Sequence, residues 1–150
     1  MTPIPPPRTH LRVAEPPPRW RAQPLAVVDC SVLAAKVWNE DEAPEAAALM
    51  AGMDLQAPDL VVYEIANVAR NKIRAGVAAE VARAGLLAFE AHRITLHEGL
   101  SGVMLDFATR YGLTTYDAAY LALADQLAAP LLTFDRRLAE AAARHFGSAA

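Results

Sequence analysis

A chain of 150 residues, 54% hydrophobic and 21% charged, has room for one domain and enough apolar surface to offset the entropy of ordering it. Its single cysteine, Cys30, excludes an internal disulfide and a cysteine-rich zinc site, and no apolar run approaches the roughly 20 residues of a bilayer-spanning helix, so a cytoplasmic protein is expected. The formal net charge of −3 offers no basic surplus to a nucleic acid, an objection that weakens for an enzyme that clusters carboxylates, because bound cations reverse the local field.

Residues 1–24 hold eight of the eleven prolines and four arginines against one acid, Glu15, and read as a disordered or polyproline-like extension. The folded domain is expected over residues 25–147. Short apolar runs alternate there with helical stretches, the pattern of an α/β domain with a mainly parallel sheet. Leu25–Asp29 reads as a first strand, followed by helices over Ser31–Trp38 and Pro44–Ala51 and a short strand over Leu55–Ala57. Asp59 is placed as the cap of a helix over Leu60–Ala75 that Gly76 ends, and a further helix covers Val77–Ala91. A strand over Arg93–Leu96 precedes a helix over Leu100–Tyr111, ended by Gly112, and a strongly apolar helix over Tyr116–Leu127. Leu131–Phe134 is the last strand and Arg136–Phe146 the last helix.

Four carboxylates stand out against this frame. Asp29 and Asp135 each close an apolar strand, and in open α/β sheets the ligand crevice lies outside the carboxyl ends of the strands. Capping of the following helix is an equally good account of Asp135 taken alone. Glu64 lies three residues after Val61 and four before Val68, on the side of its helix that should face inward, where an unpaired carboxylate costs several kcal/mol. Asp117 aligns in the same way with Tyr120, Leu121 and Ala124. Its competing role, a first-turn acid with Thr115 as the cap, is worth only about 0.3–1 kcal/mol. Brought together, four acids repel one another unless a counter-charge intervenes, and a hard divalent cation supplies it.

At these residues the sequence resembles the PIN-domain family, in particular the VapC-type toxins of toxin–antitoxin pairs. The segments that carry the resemblance are VVDCSVLAAKVW at 27–38, PDLVVYEIANVARNKI at 58–73, LTTYDAAYLALA at 113–124 and LLTFDRRLAEAA at 131–142. The resemblance implies a three-layer α/β fold, a parallel sheet flanked by helices, and an acidic pocket that binds magnesium or manganese. Asp29, Glu64, Asp117 and Asp135 match the family's acidic positions; Ser31, Asn67 and Thr115 match polar positions that support the pocket. The implied activity is metal-assisted hydrolysis of RNA phosphodiesters, with Asp29, Asp117 and Asp135 on the metal and Glu64 on the metal or on the attacking water. The implied partner is a small cognate antitoxin protein. An acid among Glu40, Asp41 and Glu42 is a further candidate that does not align securely.

Around this pocket, Lys36, Arg136 and Arg137 are candidate phosphate-gripping residues, with Arg74 and Arg110 behind them, and Tyr63 or Tyr116 offers a face to a base; any one of these basic residues is more often a solvated surface charge. His92, His97 and His145 lack ligand spacing and read as surface or packing residues, and Cys30 as a small buried hydrophobe. The apolar Tyr116–Leu127 helix fits either a homodimer contact or a central buried helix. Two other functions compete. An aspartyl phosphatase or receiver-like phosphoryl-transfer domain also places Asp at a strand end, yet here no lysine follows Lys72. A catalytically silent PIN-like module would use the fold only to hold a partner protein.

Overall fold

The structure is a computed structural model that describes residues 22–147. The expected proline-rich extension therefore lies almost wholly outside the described residues. The strands are β1 (Leu25–Val28), β2 (Asp54–Pro58), β3 (Ile94–His97) and β4 (Leu131–Leu132). The helices are α1 (Cys30–Val37), α2 (Ala43–Met50), α3 (Val61–Arg74), α4 (Ala79–Glu90), α5 (Ser101–Tyr111), α6 (Thr115–Leu127) and α7 (Arg136–Gly147). The strands form one parallel sheet in the order β3-β2-β1-β4. Ala26, Val27 and Val28 of β1 are fully buried, as expected of a parallel strand covered on both faces.

Right-handed crossovers determine where the helices go. The path β1 to β2 to β3 moves steadily toward one edge, whereas β3 to β4 returns across β1 to the other. The helices of the first two crossovers, α1 to α4, therefore cover one face and α5 and α6 the other. The packing agrees: α1 meets α2, α3 and α4, while α6 meets α5, α7 and the strands β1, β2 and β4. This is the expected three-layer α/β architecture. The reversal of direction beside β1 creates a switch point, and the crevice of such a sheet opens there, beyond the carboxyl ends of β1 and β4.

The apolar α6 is explained within one chain. Ala118, Ala119, Tyr120, Leu121, Leu123 and Ala124 are buried because α6 is the central helix of its layer. Two glycines matter for shape. Gly112 takes φ +67° to end α5, a left-handed conformation that glycine adopts without strain. Gly85 on α4 leaves room for the Trp38 ring, where an added Cβ would come 2.2 Å from Nε1.

Two expectations are corrected. The Asp59 side chain does not cap α3, whose N-cap position is Leu60; the Asp59 amide instead donates to the His97 carbonyl at 2.9 Å, fastening the end of β2 to β3. The last strand stops at Leu132 instead of Phe134 because the chain turns there to bring the Thr133 hydroxyl and the Phe134 amide onto Asp29 and Ser31.

Candidate active site

Asp29 follows the central strand directly at the switch point and is 7% exposed. Its amide donates to the Leu132 carbonyl at 2.9 Å, carrying the β1–β4 ladder one residue further. Its Oδ2 accepts from Ser31 Oγ at 2.6 Å and from Thr133 Oγ1 at 2.8 Å. Ser31 Oγ in turn accepts from the Phe134 amide at 3.0 Å, and Thr133 Oγ1 from the Asp135 amide at 2.9 Å. Two hydroxyls thus fix the carboxylate and tie the 133–135 segment to it. Burial raises the Asp29 carboxyl above its ordinary range, against the pull of both hydroxyls. Thr133 was missed by sequence reasoning; its place between the end of β4 and an acid was the available signal.

Glu64 sits in the first turn of α3, half-buried, and accepts a hydrogen bond from the hydroxyl of Tyr120 on α6. Burial raises its carboxyl, and Asp29 and Asp117 raise it further. The charges of Asp29 and Asp117 are thus both felt at Glu64. Tyr120 is fully buried, and burial and Glu64 push its own ionisation far upward, so it remains a donor. Its buried hydroxyl needed a partner, and that requirement was the sequence signal for its role. Cys30 lies beside them as the expected buried thiol: burial, Glu64 and Asp29 push it up to about 12, which excludes a thiolate nucleophile at neutral pH.

Asp117 and Asp135 stand at helix starts. Thr114 Oγ1 donates to Asp117 Oδ2 at 2.7 Å and accepts from the Asp117 amide at 3.1 Å, a reciprocal pair that fixes the first turn of α6. The cap is therefore Thr114 and not Thr115, because Thr114 keeps the extended backbone an N-cap needs while Thr115 is already helical. Asp135 is exposed, and its Oδ1 accepts from the Leu138 amide at 2.8 Å, so it caps α7. It is joined to Asp29 only through Thr133, and it is not among the groups that act on Glu64.

Glu64 and Asn67, one helical turn apart, line a cleft of about 450 Å³ with Leu60, Tyr63 and Tyr116. The basic candidates are less close. Lys36 lies in the last turn of α1, seven residues and roughly 10 Å of helix beyond Asp29. Arg137 Nη2 donates to the Gly112 carbonyl at 2.9 Å, and Arg136 pairs with Glu140 on the surface at 3.7 Å. Glu40 is paired with Lys72. His92, His97 and His145 bond Ala88, Gln56, and Tyr111 with Asp125 respectively, which bears out their packing roles.

Among the described residues, no group of three or more His, Cys, Asp and Glu side chains stands ready as a metal cage. The donors nevertheless suit magnesium, which takes one or two carboxylates and keeps several waters. Ion pairs among the described residues join Lys72 to Glu40, Arg136 to Glu140 and His145 to Asp125, and none reaches Asp29, Glu64 or Asp117. Glu64, half-buried and raised by Asp29 and Asp117 with no cation from the described residues paired to it, suits an external one.

Comparisons with known proteins bear on the fold and the family. Ribonuclease VapC3 of Pyrobaculum aerophilum is 34% identical over 120 residues, which cover 76% of this chain and 92% of that protein. The crystal structure of PAE2754 from Pyrobaculum aerophilum superposes with a TM-score of 0.63 at 26% identity, covering 79% of this chain and 80% of that one. No helix among the described residues is long and apolar enough to cross a membrane. Residues 26–144 match the family model of the PIN domain, and the chain belongs to the PIN-domain family.

Proposed function

We propose that this chain is a metal-dependent endoribonuclease, the toxin of a VapBC-type toxin–antitoxin pair, that hydrolyses RNA phosphodiesters with magnesium or manganese. The observation that carries this reading is that Asp29, buried beyond the carboxyl end of β1, and Asp117 both act electrostatically on half-buried Glu64, while no ion pair among the described residues neutralises any of the three. The similarity to a relative named Ribonuclease VapC3 supplies the substrate class.

Asp29, Asp117 and Asp135 would hold the ion, and Glu64 would hold it or orient the attacking water. The chemistry such an ion supplies is a more acidic water and stabilisation of charge on the phosphate and the departing oxygen. The chain's own contribution is orientation. Ser31 and Thr133 hold Asp29, Tyr120 holds Glu64 and Thr114 holds Asp117, each through a hydroxyl donor. Asn67, one turn from Glu64 in the same cleft, adds to the polar surround, and Thr115 lines an adjoining cleft with Asp59 and Glu98. Asp135 can serve only with the carboxylate oxygen that does not cap α7. The partners are RNA, a small antitoxin that covers the acidic pocket, and a second copy of the chain, in the cytoplasm.

The phosphoryl-transfer alternative gains no support, because receiver-like sheets run 2-1-3-4-5 and this one runs 3-2-1-4. The test is expression of the chain with and without the small protein encoded beside it, followed by mapping of new RNA 5′ ends. New ends that vanish with the antitoxin or in the Asp117→Asn variant are expected. An identical set of ends from a folded Asp117→Asn variant overturns the assignment, and failure to bind any divalent ion in calorimetry would favour the silent module.

A further inference from the structure

Asp117 and Asp135 stand at the starts of different helices, α6 and α7, and local contacts fix each within its own first turn: Thr114 holds Asp117, and Asp135 accepts from the Leu138 amide. Asp135 is also tied to Asp29, because its amide donates to Thr133 Oγ1 and Thr133 donates to Asp29. Those contacts do not relate the start of α6 to the start of α7. Arg137 does. It lies in the first turn of α7, two residues after Asp135, and its Nη2 donates at 2.9 Å to the carbonyl of Gly112, two residues before Thr114. A path of hydrogen bonds and short backbone steps thus runs from Asp117 through Thr114, Gly112, Arg137, Asp135 and Thr133 to Asp29.

The chemistry of this contact is apt. Gly112 ends α5, where the last carbonyls lack helical partners and carry partial negative charge, so a cation is favoured there. The neighbouring Arg136 pairs with Glu140, whereas among the described residues no acid pairs with Arg137. Other contacts dock α7. Leu138 and Ala141 are fully buried, Arg144 Nη2 donates to the Tyr111 carbonyl at 3.1 Å, and His145 bonds both the Tyr111 hydroxyl at 2.6 Å and Asp125 at 2.7 Å. A change at Arg137 therefore leaves the helix docked and releases the corner at 112–114. We propose that Arg137 is a positioning residue of the metal site: by holding the Gly112 carbonyl it sets the spacing between Asp117 and Asp135. The inference rests on the reading in which these acids serve one ion, and it gives Arg137 a role other than gripping phosphate. Magnesium demands nearly ideal octahedral geometry, and a displacement of about 1 Å at a reacting group can cost about 100-fold in rate. A surface hydrogen bond of small effect on stability thereby gains a large effect on catalysis.

The experiment compares the full chain with its Arg137→Met variant by manganese calorimetry without RNA and by steady-state cleavage of one RNA. Arg137→Met should bind manganese about 10- to 100-fold more weakly and lose a similar factor in kcat, with KM, its salt dependence and the Tm little changed. Arg137→Lys, which keeps a charged donor, should regain most of both losses. Arg144→Met, which removes the contact to Tyr111, should leave manganese affinity as in the wild type. Should Arg137→Met fail to fold, Arg137→Gln takes its place and the same outcomes apply. Manganese affinity and kcat equal to the wild type in the folded variant overturn the inference and leave the ribonuclease reading standing. So does a raised KM with a flatter salt dependence and unaltered manganese binding, which would make Arg137 a phosphate contact. An equal loss of manganese affinity in Arg144→Met also overturns it, by assigning the effect to looser docking of α7. A wild type that neither binds manganese nor cleaves RNA overturns both readings together.

Discussion

Helix α3 carries charge at both ends, and the fold treats the two ends differently. Near its last turn, Lys72 pairs with Glu40 and lies 5.3 Å from the centroid of the Trp38 ring, so the acid has a cation from the chain and the cation has a π-face. Eight residues earlier, roughly 12 Å along the helix, half-buried Glu64 feels the charges of Asp29 and Asp117, with a tyrosine hydroxyl as its partner and no ion pair to a basic side chain among the described residues. The first arrangement is complete in itself. The second, on the proposed reading, is completed by a positive charge from outside, as a binding site would be and a structural clamp would not.

This contrast can be broken by substitution. The largest effect is expected at the incomplete end: Asp29→Asn or Asp117→Asn should lower RNA cleavage by more than about 100-fold, since even partners of metal donors commonly matter by 10- to 100-fold. Circular dichroism and thermal melting should show the fold retained; a folded variant cutting RNA at the parental rate would remove the basis for the site. Tyr120→Phe comes next. It deletes only the hydroxyl that holds Glu64, and activity should drop by about 10- to 100-fold, with weaker manganese binding in calorimetry. Manganese affinity equal to the wild type would show that Tyr120 merely fills space.

Stability measurements sharpen the comparison further. In the folded chain the carboxyls of Asp29 and Glu64 lie above their ordinary values of 3.8 and 4.5, so the native state binds protons more tightly than the unfolded chain. Their contribution therefore falls as pH rises through the folded-state values toward neutrality, and acidification down to the ordinary carboxylate range recovers it. With metal chelated, the Tm of the wild type should decline relative to Asp29→Asn/Glu64→Gln as pH increases over that window; parallel curves would contradict the assigned burial. Manganese at 100 times its Kd should add about 2.7 kcal/mol at pH 7. The smallest effect belongs to the complete end. Lys72→Met should cost no more than about 1 kcal/mol, because the pair with Glu40 is partly solvated, and cleavage should be unchanged. A loss of cleavage there would mean that the two ends of α3 are coupled.

Much of this was legible before any coordinates. The alternation of apolar runs with amphipathic stretches located the strands and helices to within a few residues, because strand burial and helix amphipathicity leave local periodic traces. Asp29 was legible from its place at the carboxyl end of an apolar strand, and Glu64 as a polar residue on an inward helix face. The hydroxyl contacts were not. Whether Thr133 or a neighbour meets Asp29 depends on where β4 stops, and the donor to Glu64 comes from a helix 56 residues away in sequence. Local pattern could not choose between Thr114 and Thr115 either, since the choice rests on which of them stays extended.

The sequence by itself determined the class of fold and the family, because each is written in local periodicity or in contiguous motifs. Only the tertiary structure decided that Tyr120 meets Glu64, that Asp135 is spent partly on capping α7, that Arg137 serves the Gly112 carbonyl, and that Glu40 belongs to Lys72. Those outcomes follow from the return of the chain across β1, which brings α6 over the ends of the central strands. Proximity between segments remote in sequence is a property of that path and leaves no trace in any one segment.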